Sequence, residues 1–185
     1  MGRINFGPQH FLYPQPVLII GTYDENGVPN AMNAAWGSIT DDHEISISLG
    51  NHKTTQNFLL TGAFTVSIGT EDTVIPCDYV GIVSASNEPN KFVKAGFHAT
   101  KSEYVNAPLI DELPLALECT VKSFENGILV GDIVNAAADE SILTDGKIDP
   151  KKLKPITYDT VNKAYLGLGK KVGNAYRDGL QLKNE

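Results

Sequence analysis

At 185 residues, 42% apolar and 20% charged, the chain has the composition of one soluble domain with a sizeable core, neither disordered nor membrane-embedded. A net charge of −7 argues against a nucleic-acid surface, and the modest basic cluster near the C-terminus (DPKKLK, then GKKVG) reads as a solvated face. Cys77 and Cys119 have neither CxxC spacing nor a histidine cluster beside them, which excludes a structural zinc site. The opening MGRINFGPQHF lacks a secretory leader, and Phe6 stands where an acylation signal requires Ser or Thr, so a cytoplasmic protein with reduced thiols and no membrane association is expected.

The predicted elements begin at Pro16 with VLIIGTY, the turn DENGVPN and the run AMNAAWGSIT, read together as a hairpin. EISISLG (44–50) alternates with period two, the pattern of a strand with one buried face. TTQNFLLTG reads as a short helix closed by Gly62, AFTVSIG (63–69) as a strand, and EDTVIPCDYVGIVS as largely helical despite Pro76. After the polar loop SASNEPNKF come a short strand (FHATKS), an irregular link (EYVNAPLIDELP), and the runs LALECTVKSF and ILVGDIVNAAAD. Asn126-Gly127 between those last two runs is the strongest hairpin signal in the chain. A turn at Asp145-Gly146, a short helix around Lys151 to Lys154, a tight turn and helix start in GLGKKVG, and a last helix in the tail complete the reading. Six or seven short strands in succession, without helix-length crossovers, predict a single-domain, mainly β antiparallel barrel over residues 1–185 with short helical insertions.

Chemistry concentrates between Asn30 and Phe58. The turn NHKTTQNF follows a strand and opens a helix, with Asn51 as the predicted cap and Lys53, Thr54 and Thr55 in the first turn. Unpaired N–H groups and the positive dipole end favour an anion there, and a lysine with two hydroxyls suits a phosphate monoester. Taken alone, the same residues also describe an ordinary capped surface helix. In NAMNAAW, small side chains would let backbone approach a flat ring; close-packed core explains Ala34, Ala35 and Trp36 equally well. GLGKKVG has no βαβ unit after it and is rejected as a dinucleotide fingerprint. Neither a nucleophile elbow nor a zinc-protease motif nor a Walker loop is present, and the four histidines are scattered, so no residue is assigned a catalytic role.

Four stretches carry a family resemblance: PVLIIGTYDENGVPNAMNAAW with NHKTTQNF; CDYVGIVSASNEPNKFVKAGF; APLIDELPLALECTV with GILVGDIV; and ITYD with AYLGLGKKVGNAYRDG. Over nearly its whole length the chain resembles the flavoredoxin branch of the flavin reductase-like proteins, which bind FMN on a split β-barrel. The resemblance implies that Asn33, Ala34, Ala35 and Trp36 lie along the isoalloxazine ring and ribityl chain. It implies that Lys53 and Thr54 hold the phosphate, with Asn51, His52, Thr55 and Asn57 as neighbours. Asn33 stands where relatives commonly have Thr, so an amide must make the hydrogen bond expected there. Ser84 and Ala85 take the place of a usual Ser-Gly pair, and Lys91 matches a lysine that reaches the flavin or its phosphate; as a plain residue it is a surface lysine. Tyr165 would stack near the ring, or serve as an interface aromatic. Cys77 is expected to act as a small buried apolar residue rather than a redox thiol, and Cys119 likewise.

The function so implied is an FMN-binding oxidoreductase passing electrons from NADH or NADPH through the flavin to an acceptor, working as a homodimer with flavin at the interface. A hydride step of that kind requires no protein base. The alternative is an electron-transfer flavoprotein with no NAD(P)H oxidation of its own, reduced by partner redox proteins onto which its acidic surface would dock. A flavin carrier without turnover keeps the same site. Pyridoxal phosphate on a related barrel is disfavoured, because no arginine falls in the phosphate segment.

Overall fold

Burial of the VLII run on both faces sets the architecture. In the computed structural model, which describes residues 2–183, Val17 and Ile19 point to one side of the sheet and Leu18 and Ile20 to the other, and all four are buried. Successive strand side chains alternate in direction, so an unbroken apolar run requires a hydrophobic layer on each side.

The strands are β1 (Gln15–Pro16), β2 (Leu18–Tyr23), β3 (Pro29–Ala34), β4 (Gly37–Asp41), β5 (Glu44–Ser48), β6 (Ala63–Ile68), β7 (Ala99–Lys101), β8 (Pro108–Ile110), β9 (Leu115–Glu125), β10 (Ile128–Ala138), β11 (Leu143–Thr144), β12 (Lys147–Ile148), β13 (Ile156–Asp159) and β14 (Ala164–Gly167). The helices are α1 (Lys53–Thr61), α2 (Val74–Ile82), α3 (Lys91–Lys94) and α4 (Pro150–Leu153). Seven strands form one antiparallel sheet in the order β3-β2-β6-β9-β10-β5-β4; β1, β13 and β14 form a second, smaller sheet.

The large sheet must curl, because its edge strands β3 and β4 are joined by Ala35 and Trp36 alone. Three peptide steps span at most about 11 Å. The predicted single run AMNAAWGSIT is therefore broken at this link into two strands on opposite edges. Gly37 sits where the edges meet; a Cβ there would lie 2.7 Å from Leu18 Cδ1 and 3.1 Å from Ile47 Cγ1.

Inside the curl, Leu18, Ile20, Ile45, Ile47, Phe58, Phe64, Val66 and Leu129 form one core; Ile45 and Ile47 are the alternating apolar positions of EISIS. On the outer side of β2, Val17, Ile19, Ala31, Cys77, Val80 and Phe92 form the other, roofed by α2 and α3. The β9–β10 hairpin turns at Asn126 (φ 51°) and Gly127 (φ 78°), the two positive dihedrals that an Asn-Gly turn supplies. Gly62, at φ 70°, ends α1 as read from the sequence. Pro76 is tolerated in α2 because it lies in the first turn, where no intrahelical N–H is lost.

Further sequence expectations fail, and the link EYVNAPLIDELP, read as irregular, contains β8. The loop SASNEPNKF continues into a short helix, α3, starting at Lys91. GLGKKVG starts no helix, since residues 168–174 are irregular after β14 ends at Gly167. The tail forms only a 3-10 turn, Asp178–Lys183, with exposed apolar side chains and no neighbouring surface to stabilise an α-helix. Among the described residues, no helix is long and apolar enough to cross a membrane.

Candidate functional site

Strand β3 is flanked by α1 at one end and α2 along its outer face, and a cavity of about 300 Å³ opens between them. It is lined by Asn30, Met32 and Asn33 of β3, by His52, Lys53 and Thr54, by Val80, Gly81 and Ile82 of α2, and by Val83, Ser84, Ala85 and Lys91. A second cavity of about 270 Å³ shares Asn33, Gly81 and Ile82 with it and adds Ala34, Ala35, Asp78, Tyr158, Lys163 and Tyr165. The shared residues make the two cavities neighbours along one face of β3.

At the α1 end the donors are preset. A helix leaves its first N–H groups without intrahelical partners, so those of Lys53 and Thr54 remain available. The helix start is held rigid: the Thr55 hydroxyl donates to Gly50 O at 2.9 Å and accepts the His52 N–H at 3.3 Å. Lys53 Nζ pairs with Glu25 Oε2 at 3.0 Å. Asn30, 5% exposed, donates through Nδ2 to Thr54 Oγ1 at 2.7 Å, and its Oδ1 has no partner.

Lys91 is 3% exposed. Its ammonium donates to Val80 O at 3.0 Å and Val83 O at 2.8 Å, capping the C-terminal carbonyls of α2 and holding the Val83–Ala85 loop against the cavity. Burial lowers its pKa to about 8. At the far end, Tyr165 donates to Asp78 Oδ1 at 2.8 Å, while Asn33 Nδ2 donates to Cys77 O at 3.0 Å and makes a longer 3.4 Å contact to the Tyr165 hydroxyl. Burial and the adjacent carboxylate both raise the Tyr165 pKa, so the phenol is neutral and its proton faces Asp78. With both amide hydrogens engaged, Asn33 has only its Oδ1 to offer a ligand.

The flavin reductase like domain model matches residues 10–160, most of the chain and every element that builds these cavities except Lys163 and Tyr165. The chain belongs to the flavin reductase-like family. Among solved structures, the flavoredoxin of Desulfovibrio vulgaris (Miyazaki F) is 33% identical, with a TM-score of 0.92 over 96% of this chain and 100% of that one. Flavoredoxin from Methanosarcina acetivorans is 27% identical, with a TM-score of 0.89 over 98% and 100%. A flavin reductase with a split barrel domain from Shewanella frigidimarina is 19% identical with a TM-score of 0.75 over 88% and 86%, a likeness of fold that identifies the curled seven-strand sheet as a split barrel.

Within this flavin reductase-like frame, ten of the residues singled out in the sequence line the paired cavities: Asn33, Ala34, Ala35, His52, Lys53, Thr54, Ser84, Ala85, Lys91 and, from β14, Tyr165. Four do not. Asn51 is exposed and is not the cap; His52 takes the extended cap conformation (φ −130°, ψ 166°), one residue later. Thr55 and Asn57 turn into the barrel, where Asn57 Nδ2 donates to Thr22 Oγ1 at 3.1 Å, so both support the helix rather than face the cavity. Trp36 is 55% exposed and lies in a separate hollow of about 650 Å³ with His10, Leu12, Ser46 and Ile128. The close-packed-core reading of Trp36 fails for the same reason.

Cys77 is buried, its Sγ 3.6 Å from Thr73 Oγ1, and burial pushes its pKa up to about 11; Cys119, also buried, goes to about 12. Neither is a thiolate at neutral pH, in keeping with the small-apolar reading. Sequence reasoning missed Asn30, Gly81, Asp78 and Lys163. Asp78 and Gly81 stand inside the family-specific CDYVGIVS stretch, which was legible as a motif but not as a wall of the site.

Proposed function

We propose that the paired cavities bind FMN and that the protein is an oxidoreductase passing electrons from NADH or NADPH through that flavin to an acceptor. The observation that carries this reading is the placement of Lys53 and the open N–H groups of α1 at one end of β3, with Asn33 and Tyr165 at the other. A phosphate monoester suits the first end, where a cation and helix-terminal donors converge. The orphaned Asn30 amide atom between them suits a polyol: whichever end of the amide faces Thr54, one polar atom is left for a hydroxyl. Gly81 lets α2 pack directly on β3 at the wall that the two cavities share, since a Cβ there would come within 3.0 Å of Asn33 Cβ. The combined cavities, about 300 and 270 Å³, fall in the range of small-molecule sites.

FMN held here by Lys53, Thr54 and the α1 N–H groups would supply the hydride-accepting and electron-releasing chemistry. Lys53 and the α1 N–H groups anchor. Lys91 fixes the α2 C-terminus and the Val83–Ala85 loop, so the wall of the site is positioned rather than mobile. Asp78 orients the Tyr165 hydroxyl, which together with Cys77 O engages the Asn33 amide hydrogens and leaves an acceptor at that point. A hydride transfer needs no protein general base.

The apolar hollow around Trp36, with Leu12 and Ile39 also exposed, supports a homodimer in which a second copy covers this face. The two buried, uncharged thiols suit a reducing, cytoplasmic setting.

An anaerobic absorbance scan of the protein with one equivalent of FMN, before and after NADH or NADPH, tests the proposal. Bound flavin that bleaches at turnover rates supports the reductase. Bound flavin that bleaches only with a reduced partner protein assigns the electron carrier instead, and failure to bind FMN overturns the site.

A further inference from the structure

The β2–β3 turn reaches over to the phosphate end of the cavity, and it is built to be rigid. Asp24 Oδ1 accepts the N–H groups of Asn26 and Val28, each at 2.8 Å, and Asp24 exchanges backbone bonds with Gly27 and Val28 at 3.0 Å. Gly27 supplies the positive φ of 75° that closes the turn. This turn holds Glu25, whose carboxylate pairs with Lys53 at 3.0 Å across 28 residues of chain. Lys53 lines the cavity; Glu25 does not. A backbone hydrogen bond within the turn and the Lys53 ammonium both lower the Glu25 pKa, so the group is an anion at neutral pH.

Resting on the reading of the cavity as an FMN site, we propose that Glu25 is an internal competitor of the ligand phosphate, occupying Lys53 in the empty protein and being displaced when a phosphate monoester enters. Two features make the competition effective. The carboxylate and a phosphate both need the same ammonium, and an undisplaced Glu25 would stand as a like charge beside a dianion. The pair is partly exposed, with about a quarter of the Lys53 side chain and more than half of Glu25 open to solvent, so breaking it is inexpensive and Glu25 can yield to the phosphate. Glu25 thereby tunes affinity for the phosphate end alone and keeps the cofactor exchangeable.

The test is fluorescence titration of wild type and Glu25→Gln with FMN and with riboflavin, which lacks the phosphate. The expected result is FMN binding tighter by about three- to tenfold in the variant, with riboflavin changed less than about twofold. Unchanged FMN affinity in Glu25→Gln, or an equal shift for both flavins, overturns the proposal while leaving the site intact, provided wild type prefers FMN to riboflavin. Weaker FMN binding overturns it too, since Glu25 would then hold Lys53 in place for the ligand. A wild type that binds both flavins equally overturns the phosphate assignment of Lys53 and this inference with it.

Discussion

Asn33 and Trp36 are three residues apart, yet they serve surfaces of opposite character. Asn33 lines a narrow pair of cavities of mixed polarity whose hydrogen bonds are fixed by Cys77 O, Tyr165 and Asp78. Trp36 lies in a wider hollow with a largely apolar wall, its ring edge-on to His10 with centroids 5.8 Å apart. The chain passes between them at the link joining the two edges of the sheet, so one short run of small residues feeds both. The difference teaches that small residues here do two jobs: they line the cavity beside α2 and let the barrel close at Gly37.

The largest expected effect sharpens the polar side. Lys53→Ala should weaken FMN binding by about ten- to a hundredfold, the worth of one charge-assisted phosphate contact, with riboflavin barely affected. Fluorescence titration measures both; equal losses for the two flavins would remove Lys53 from the phosphate end.

Next, Gly37→Ala tests the link that separates the two surfaces. The added methyl would meet Leu18, Ile47 and, at 3.2 Å, Ser46 O, in a core with little room to give. A loss of about 1–3 kcal/mol in urea unfolding is expected. Wild-type stability in this variant would show that the edges can separate at no cost.

Trp36→Ala addresses the apolar side. If a second copy covers the hollow, the variant should shift sedimentation toward monomer by about tenfold or more in dissociation constant, the effect of losing a buried aromatic at an interface. Its monomer should keep near wild-type stability, because Trp36 is already half exposed. A wild-type monomer at high concentration would break this half of the comparison.

The last prediction concerns Lys91. Its pKa, lowered to about 8 by burial against an ordinary value of 10.5, means that the unfolded chain binds the extra proton between those values. Stability should therefore rise as pH climbs through that window, with the burial penalty fully present below pH 8. Lys91→Met should flatten that contribution in pH-dependent unfolding; parallel curves for the two proteins would show that Lys91 titrates normally.

Much of the fold was legible because its signals are local. The period-two EISIS strand, the Asn126-Gly127 turn and the Gly62 helix end each depend on a few adjacent residues, and all stand as read. The site was legible in part for the same reason. NHKTTQNF announced a helix start, but a helix has two faces. Which residues of that motif meet the cavity depended on how α1 packs: Lys53 and Thr54 do, whereas Thr55 and Asn57 bond back to Gly50 and Thr22. Lys91 was visible as a matched lysine, while its bonds to Val80 and Val83 follow from α3 folding under the end of α2.

By itself the sequence determined the mainly antiparallel barrel, the family and a helix start carrying a lysine and two hydroxyls, because period, turn chemistry and motif spacing are properties of the chain alone. Only the tertiary structure decided that AMNAAWGSIT splits across the barrel's two edges, that Trp36 leaves the cavity, and that Glu25 returns to Lys53 from the opposite turn. Those outcomes depend on which distant segments share a surface, and sheet closure sets that.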